Sequence, residues 1–266
     1  MTPEGASTTP EGASTTPDGA DAPPDRPYAC PKCRDQGWIP DPANYKTHAE
    51  CPGCMRPKRL ANEYAAANLP VFVQDIEWRD IERTPARDKL IENARFWLRG
   101  AHAIHRPGGG FTPRSRTQAA ARRTFLIHGP PNSGKTMFAS LMAKSLIKRG
   151  VRAYRGTLQR YTEAFFVKSG APEAEEERAF RDRMRQAPVL ILEMGDEPDH
   201  RYSGPRLVEL LKGRMESGSC TIVVSALGPD RLLGKYGGDF CKGSELLKLF
   251  ADEKFVLPNK LSGGGR

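Results

Sequence analysis

The stretch 129–136, which reads Gly-Pro-Pro-Asn-Ser-Gly-Lys-Thr, has the residue types and spacing of a phosphate-binding loop. In such a loop, consecutive backbone N–H groups converge on phosphate oxygens, and the N-terminus of the following helix adds positive potential. Lys135 would reach the β- and γ-phosphates of a nucleotide, and Thr136 would offer its hydroxyl to Mg²⁺. A Gly/Pro turn before an ordinary helix is the alternative. The residues expected to contact the nucleotide are Gly129, Pro130, Pro131, Asn132, Ser133, Gly134, Lys135, Thr136 and Met137.

Four cysteines near the N-terminus, Cys30, Cys33, Cys51 and Cys54, have the spacing of a zinc site. They form two C-x-x-C pairs, and each pair supplies two thiolates to a tetrahedral ion. Four protein ligands leave no position for water or substrate, so the predicted zinc is structural. Disulfides are one alternative. His48 in place of one cysteine is another, although we expect that histidine to face solvent.

Aromatic and basic residues lie between the two cysteine pairs, namely Arg34, Trp38, Tyr45 and Lys46. These side chains could stack on single-stranded nucleic acid or neutralise its charge. A small zinc module also needs aromatic residues for its own core, and the same side chains could contact a protein partner. The sequence leaves these alternatives open.

An acidic residue ends the apolar run 189–193, Val-Leu-Ile-Leu-Glu. Such a run predicts a buried strand of a parallel sheet, with Glu193 at its C-terminal edge. A Walker B acid belongs at this place, next to the phosphate-binding loop. We therefore predict that Glu193 and Thr136 bind Mg²⁺, and that Glu193 is a candidate catalytic group.

Strands and helices alternate along the second half of the chain. Apolar runs predict strands at 124–127, 151–154, 189–193, 221–225 and 255–257, and periodicity predicts helices at 137–148, 158–167 and 204–217. The charged stretch 171–187 predicts an exposed helix with internal ion pairs. Because the strands are β-branched and do not alternate between apolar and polar residues, the pattern favours an α/β fold with a parallel sheet covered on both faces.

Composition divides the chain into five predicted parts. These are a disordered repeat tail 1–27, a zinc-binding module 28–57, a helical connector 58–100, a flexible basic loop 101–123 and a nucleotide-binding domain 124–266. The tail repeats Thr-Pro-Glu-Gly-Ala-Ser-Thr and lacks the apolar side chains that a core requires. In the connector, helices are predicted at 56–68 and 85–100, and we expect them to pack against the nucleotide-binding domain.

The formal net charge of +9 over 266 residues favours contact with a polyanion such as nucleic acid. A solvated basic surface is the alternative. The sequence has no apolar run of about 18 residues and no signal sequence, so we expect a cytoplasmic protein without a membrane partner.

From Cys30 to Arg266 the sequence resembles the bacterial and phage helicase loaders of the DnaC/DnaI type and the related transposition ATPases of the IstB type. The features that carry the resemblance are the phosphate-binding loop, the first cysteine pair in C-P-K-C-R-D-Q-G-W-I, Leu69-Pro70 with the Phe/Ile/Trp cluster that follows, and the series from Arg206 through Thr221-Ile222-Val223-Val224-Ser225 to Lys235-Tyr236-Gly237. The resemblance implies an AAA+ P-loop NTPase with a five-stranded parallel sheet in the order 5-1-4-3-2. It also implies assembly with ATP as a ring or spiral on single-stranded DNA, with a replicative helicase hexamer held by the zinc region.

The sequence departs from this family at the position that activates water. In these families the third strand ends in Asp followed by Asp or Glu, whereas here Glu193 is followed by Met194. A thioether cannot polarise water as a carboxylate does. Asp196 or Glu197 would substitute only if the following loop curls back.

Three further positions bear on hydrolysis. The usual Asn after the fourth strand is Ala226, and Glu245 stands in the segment that normally supplies an arginine finger. Arg266 could serve as the sensor arginine common near the end of these domains. We therefore predict ATP binding with weak or absent hydrolysis.

The resemblance favours a helicase loader or adaptor that recruits a replicative helicase to single-stranded DNA in DNA replication. An IstB-like transposition regulator is one alternative. A zinc-containing DNA-binding scaffold with a hydrolysis-deficient AAA+ domain is the other. The cysteine pairs followed by Leu69-Pro70 favour the loader over the transposition regulator.

Overall fold

The computed structural model describes residues 29–105, 124–168, 170–198, 201–237 and 254–256. The predicted tail, residues 106–123 of the predicted basic loop, Glu245 and Arg266 lie outside these ranges. Contacts within the chain divide it into an N-terminal unit, Met1–Arg56, and a C-terminal unit, Pro57–Arg266. The finer division into five parts stays a prediction.

The N-terminal unit contains an antiparallel hairpin of strands β1 (Trp38–Asp41) and β2 (Asn44–Glu50). Trp38 pairs with Glu50, so the residues that precede β1 and follow β2 lie at the same end of the hairpin. The N–H of Cys51 donates to the carbonyl of Gly37 at 2.8 Å. The hairpin thereby brings the two cysteine pairs together.

The remaining elements are named in chain order. They are helix α1 (Met55–Ala66), two 3-10 helices (Val71–Val73 and Trp78–Asp80), α2 (Pro85–His105), β3 (Thr124–His128), α3 (Lys135–Ile147), β4 (Ala153–Thr157), α4 (Leu158–Glu163), α5 (Ala174–Gln186), β5 (Val189–Met194), α6 (Ser203–Glu216), β6 (Cys220–Ser225), α7 (Pro229–Tyr236) and β7 (Lys254–Val256). Among the helices that the structure describes, none combines the length and apolarity needed to cross a lipid bilayer.

Four strands of five or six residues form a parallel sheet in the order β4-β5-β6-β3. The α/β class and the parallel sheet are therefore confirmed. A short fifth strand, the three-residue β7, pairs in parallel with the other side of β3. The sheet therefore has four longer strands and one short strand in the order β4-β5-β6-β3-β7, which is the predicted order 5-1-4-3-2.

Alternate residues of the strands face two opposite layers of helices, because successive side chains of a strand point to opposite faces. Ile191 and Ile222 belong to the core cluster that contains residues of α2 and α3. Leu190 and Leu192 belong to a second cluster with residues of α4, α5, α6 and α7. The connector helix α2 packs on the sheet as expected, and its Trp97 meets Phe125 of β3 edge to face at 5.7 Å.

Candidate functional site

The carboxyl ends of the parallel strands meet at one edge of the sheet, where ligands of open α/β folds bind. The phosphate-binding loop connects β3 to α3 at this edge. Gly134 has a φ of +88°, a left-handed conformation that glycine adopts without strain, and the N–H of Phe138 donates to its carbonyl at 2.9 Å. Within the loop, Gly129 and Ser133 are buried, Pro131 and Asn132 are exposed, and Pro130, Gly134, Lys135, Thr136 and Met137 are half-buried.

The ammonium group of Lys135 lies over the start of the loop. Its Nζ donates to the carbonyls of Gly129 and Pro130 at 2.9 and 2.6 Å. Burial lowers the pKa of Lys135, and the negative charge of Asp196 opposes that change. Asp196 is exposed, and its negative charge attracts the ammonium of Lys135. The loop after β5 therefore contributes negative charge near the phosphate-binding loop.

The structure brings the two predicted Mg²⁺ ligands together. The hydroxyl of Thr136 donates to Oε1 of Glu193 at 2.9 Å, and the carboxylate is half-buried at the end of β5. Oxygen ligands of this kind suit Mg²⁺, which accepts a hydroxyl and a carboxylate beside phosphate oxygens. The donor set therefore fits the ion, and magnesium binding here stays a prediction.

An arginine that the sequence did not indicate also binds Glu193. Arg155 of β4 donates from Nε to Oε1 at 3.1 Å and from Nη2 to Oε2 at 2.7 Å. Two parallel bonds of this kind form a bidentate pair, the strongest geometry between a guanidinium and a carboxylate. The available signal was a single basic residue in the stretch Ala-Tyr-Arg-Gly-Thr, next to a strand that ends in an acid.

The main chain of Arg155 is fixed as well. Its N–H donates to the carbonyl of Ala67 at 2.9 Å, and its carbonyl accepts from Nδ2 of Asn68 at 3.0 Å. Asn68, just after the end of α1, has a left-handed φ of +55°. The chain changes direction at this residue and then passes along the outer edge of β4. The position of Arg155 is thus set by β5 on one side and by the end of α1 on the other.

The other acidic candidate after β5 is engaged elsewhere. The loop does curl back, since a carboxylate oxygen of Glu197 accepts from the N–H of Gly195 at 2.8 Å. However, Glu197 is buried, and its second oxygen accepts the hydroxyl of Tyr236 in α7. Met194 is buried in the second core cluster. Neither residue therefore offers a group to activate water beside Glu193.

A pocket of about 230 Å³ adjoins the phosphate-binding loop. It is lined by Asp80, Ile81, Glu82, Arg87, Ser133, Gly134, Met137 and Phe138. The hydroxyl oxygen of Ser133 is buried and has no hydrogen-bond partner among the described residues. This pocket lies between the phosphate-binding loop and the part of the connector that runs from Asp80 to the first turn of α2.

A buried lysine of α3 binds residues 73–77, a part of the connector that precedes α2. Lys144 donates to the carbonyls of Val73, Gln74 and Ile76 at 3.0, 2.7 and 2.7 Å, and its ammonium lies 3.1 Å from a carboxylate oxygen of Glu77. Burial raises the pKa of Glu77, but hydrogen bonds from Lys148 and Lys144 outweigh it, so the net shift is downward.

In the N-terminal unit, the sulfur atoms of Cys30, Cys33, Cys51 and Cys54 lie within 4.8 Å of one another. The Sγ atoms of Cys30 and Cys51 are 3.7 Å apart, and those of Cys33 and Cys54 are 3.5 Å apart. A tetrahedral zinc with Zn–S distances of about 2.3 Å requires sulfurs about 3.8 Å apart. The four cysteines are free thiols rather than disulfides, and their geometry fits zinc.

Local contacts favour the thiolate form of Cys51, whereas hydrogen bonds with the other cysteines raise the pKa of Cys54. Gly37 donates its N–H to Sγ of Cys33 at 3.3 Å. Burial raises the pKa of Cys51, but backbone hydrogen bonds at Gly53 and Cys54 are among the contacts that outweigh it and lower the pKa to about 7. A thiolate is the form that binds metal. His48 is exposed, as expected, and does not belong to the cluster.

Comparison of the sequence with protein-family models finds no match, and comparison with curated protein sequences finds none either. Among solved structures, a crystal structure of DnaI matches with a TM-score of 0.53 and 18% identity, over 71% of this chain and 94% of that chain. A crystal structure of the DnaC helicase loader matches with a TM-score of 0.51 and 16% identity, over 72% of this chain and 100% of that chain. The chain thus has the α/β fold of these two structures, which confirms the resemblance seen in its sequence.

Proposed function

We propose that this protein is an ATP-binding AAA+ helicase loader or adaptor that recruits a replicative helicase to single-stranded DNA. The observation that carries the proposal is the contact between Thr136 and Glu193 beside a complete phosphate-binding loop. The similarity of fold to the DnaC helicase loader supports the same proposal. ATP would occupy the carboxyl edge of the sheet.

The surroundings of the loop support nucleotide binding. Lys135 is already folded toward the residues that would enclose the phosphates. The adjoining pocket of about 230 Å³ offers space for part of the nucleotide, and the unpartnered hydroxyl of Ser133 offers it a hydrogen bond. When bound, Mg²⁺ would be held by Thr136 and Glu193 and would neutralise phosphate charge.

The same geometry supports slow hydrolysis. Met194 has no carboxylate, Glu197 is bonded to Tyr236, and Ala226 lacks a polar side chain. Asp196, which is exposed and acts on Lys135, stays the candidate for a second carboxylate in the loop after β5. General-base assistance contributes typically 10²–10⁴-fold to a rate, so its loss leaves binding largely intact while turnover falls. Nucleotide would then control assembly of the protein rather than drive repeated cycles.

The N-terminal unit is the proposed contact for the helicase. Its hairpin presents Trp38, which is 48% exposed, beside the four-cysteine cluster. A large aromatic residue that remains exposed is typical of a protein contact, and it is equally suited to stacking on a DNA base. Self-association as a ring or spiral with ATP belongs to the same proposal.

Affinity capture of the tagged full chain from its native cytosol, with ATP and nuclease present, tests this function. We expect recovery of a replicative helicase. Recovery should be lost with Cys33→Ser and reduced with Trp38→Ala, and it should be retained with Phe72→Ala, which alters an exposed aromatic residue of the C-terminal unit. Recovery of a transposase instead would favour the IstB-like alternative, and recovery of nucleic acid alone would favour the scaffold.

A further inference from the structure

Glu193 carries a guanidinium partner in addition to the Thr136 hydroxyl. Both carboxylate oxygens accept from Arg155, at 3.1 and 2.7 Å, and Oε1 also accepts from Thr136. Arg155 and Glu193 are only 24% and 20% exposed, so solvent screens the pair weakly. A fixed positive charge therefore lies against the proposed magnesium ligand.

The guanidinium is placed there by the backbone. Arg155 pairs with Ile191 across the sheet, while its other side is bonded to Ala67 and Asn68. Gly156 follows, and a Cβ atom at that position would lie 2.2 Å from Sδ of Met184. The strand is thus held closely against both β5 and α5, which fixes the backbone from which the Arg155 side chain reaches the carboxylate.

The charges at this edge of the sheet explain what the pair does. An unpaired Glu193 carboxylate would repel the phosphates of a bound nucleotide, and a divalent ion would be needed between them. A bidentate arginine neutralises that carboxylate without any ion. The need for metal during binding should therefore be smaller when Arg155 is present.

We propose that Arg155 is a positioning residue that neutralises Glu193 and holds it against Thr136, so that the site retains ATP after divalent metal is removed. This inference rests on the proposed nucleotide binding. It also agrees with the slow hydrolysis proposed above, since both carboxylate oxygens of Glu193 already accept hydrogen bonds from Arg155.

The test is calorimetric titration of the full chain with ATP, once in excess Mg²⁺ and once in EDTA. The measured quantity is the ratio of the Kd in EDTA to the Kd in Mg²⁺. We expect a ratio below about tenfold for the unmodified protein, and a ratio at least about tenfold larger for Arg155→Met. Arg152→Met is the matched control, because it removes the same charge from an exposed residue just before β4 and should leave the ratio unchanged.

A second set of variants separates charge from structure. Arg155→Met should raise the ratio in the unmodified background and leave it unchanged in a Glu193→Gln background, since no carboxylate then remains to be neutralised. Arg155→Gln, which keeps a polar side chain, serves if Arg155→Met does not fold, and it should raise the ratio in the same direction. If Arg155 only supported the structure, its replacement would weaken ATP binding equally in Mg²⁺ and in EDTA.

Two results overturn the inference in different ways. If the unmodified protein binds ATP in Mg²⁺ and the Arg155 and Arg152 variants have equal ratios, Arg155 does not neutralise Glu193, and the proposed nucleotide binding survives. If the unmodified protein binds no ATP in either condition, the proposed nucleotide binding fails as well.

Discussion

Cys51 is the most enclosed of the four cysteines, with no surface exposed to solvent. Its sulfur contacts that of Cys30, and Gly53 packs so closely that a Cβ atom there would lie 3.2 Å from Sγ of Cys30. The cluster is therefore tightly enclosed, and its four sulfurs lie close enough to hold one metal ion. At this scale sequence spacing was sufficient, because two C-x-x-C pairs bring their ligands together through local turns.

Replacement of Cys51 by Ser should remove the metal and unfold the N-terminal unit. We expect about one zinc per chain in the unmodified protein and a large loss in Cys51→Ser, because a structural metal supplies much of the folding free energy of so small a unit. Metal analysis of purified protein measures the change. Cys220→Ser is the control, as that cysteine lies in β6 outside the cluster, and equal zinc in both variants would contradict the assignment.

The nucleotide site was predictable from sequence only in part. Lys135 and Thr136 belong to a local motif, and Glu193 ends an apolar run, so each carries its own signal. Arg155 carries only the signal of a single basic residue in an otherwise uncharged stretch, because its contact depends on which residues of β4 and β5 stand side by side. The strand predicted at 151–154 ended before Arg155, whereas β4 is set by its pairing along β5, from Ala153 opposite Val189 to Thr157 opposite Glu193.

Among the elements, α5 differs most from its prediction. The stretch was expected to be an exposed helix with internal ion pairs, but Phe180 and Met184 are buried. Glu176 and Glu177 each pair with Arg160 of α4 at 3.2 Å rather than along the helix. Charge content alone could not reveal this, since two apolar residues one helical turn apart suffice to dock a short helix.

Helix α3 joins the phosphate-binding loop to the connector. Its Lys144 binds three carbonyls of the connector, and Trp78 donates from Nε1 to the hydroxyl of Ser145 at 2.7 Å. Trp78 also meets Phe138 edge to face at 5.2 Å. The connector is thus packed on the helix whose first turn would receive the phosphates.

The Glu77 carboxylate should stabilise this contact in a pH-dependent way. Because its pKa is lowered in the folded protein, its contribution is present above the pKa of the unfolded chain, near 4.3, and is lost as the pH falls through the folded value. We expect Glu77→Gln to lower the free energy of unfolding by about 1 kcal/mol at pH 7. The difference should shrink as the pH falls below about 4.3 and through the lowered pKa of Glu77 in the folded protein.

Urea unfolding of both proteins across this pH range measures the effect. Glu92→Gln, an exposed change on α2, should be neutral at every pH. A Glu77→Gln deficit that persists undiminished at the lowest pH would show that the carboxylate charge is not responsible.

For the whole molecule, the α/β class and the parallel sheet followed from the alternation of apolar runs with helices, whereas the order of the strands followed from the resemblance alone. The short strand predicted at 255–257 corresponds to β7, which lies one residue earlier, at Lys254–Val256. Function at this scale rests on the nucleotide site, since fold similarity alone does not establish activity.

Calorimetric titration of the full chain with ATP in Mg²⁺ tests the central claim most directly. We predict saturable binding that Lys135→Ala weakens at least about tenfold, because the ammonium makes charge-assisted bonds to phosphate. Lys168→Ala, which removes the same charge from an exposed residue, should bind like the unmodified protein. Absence of binding by the unmodified protein, or equal affinity of the Lys135 and Lys168 variants, would contradict the account.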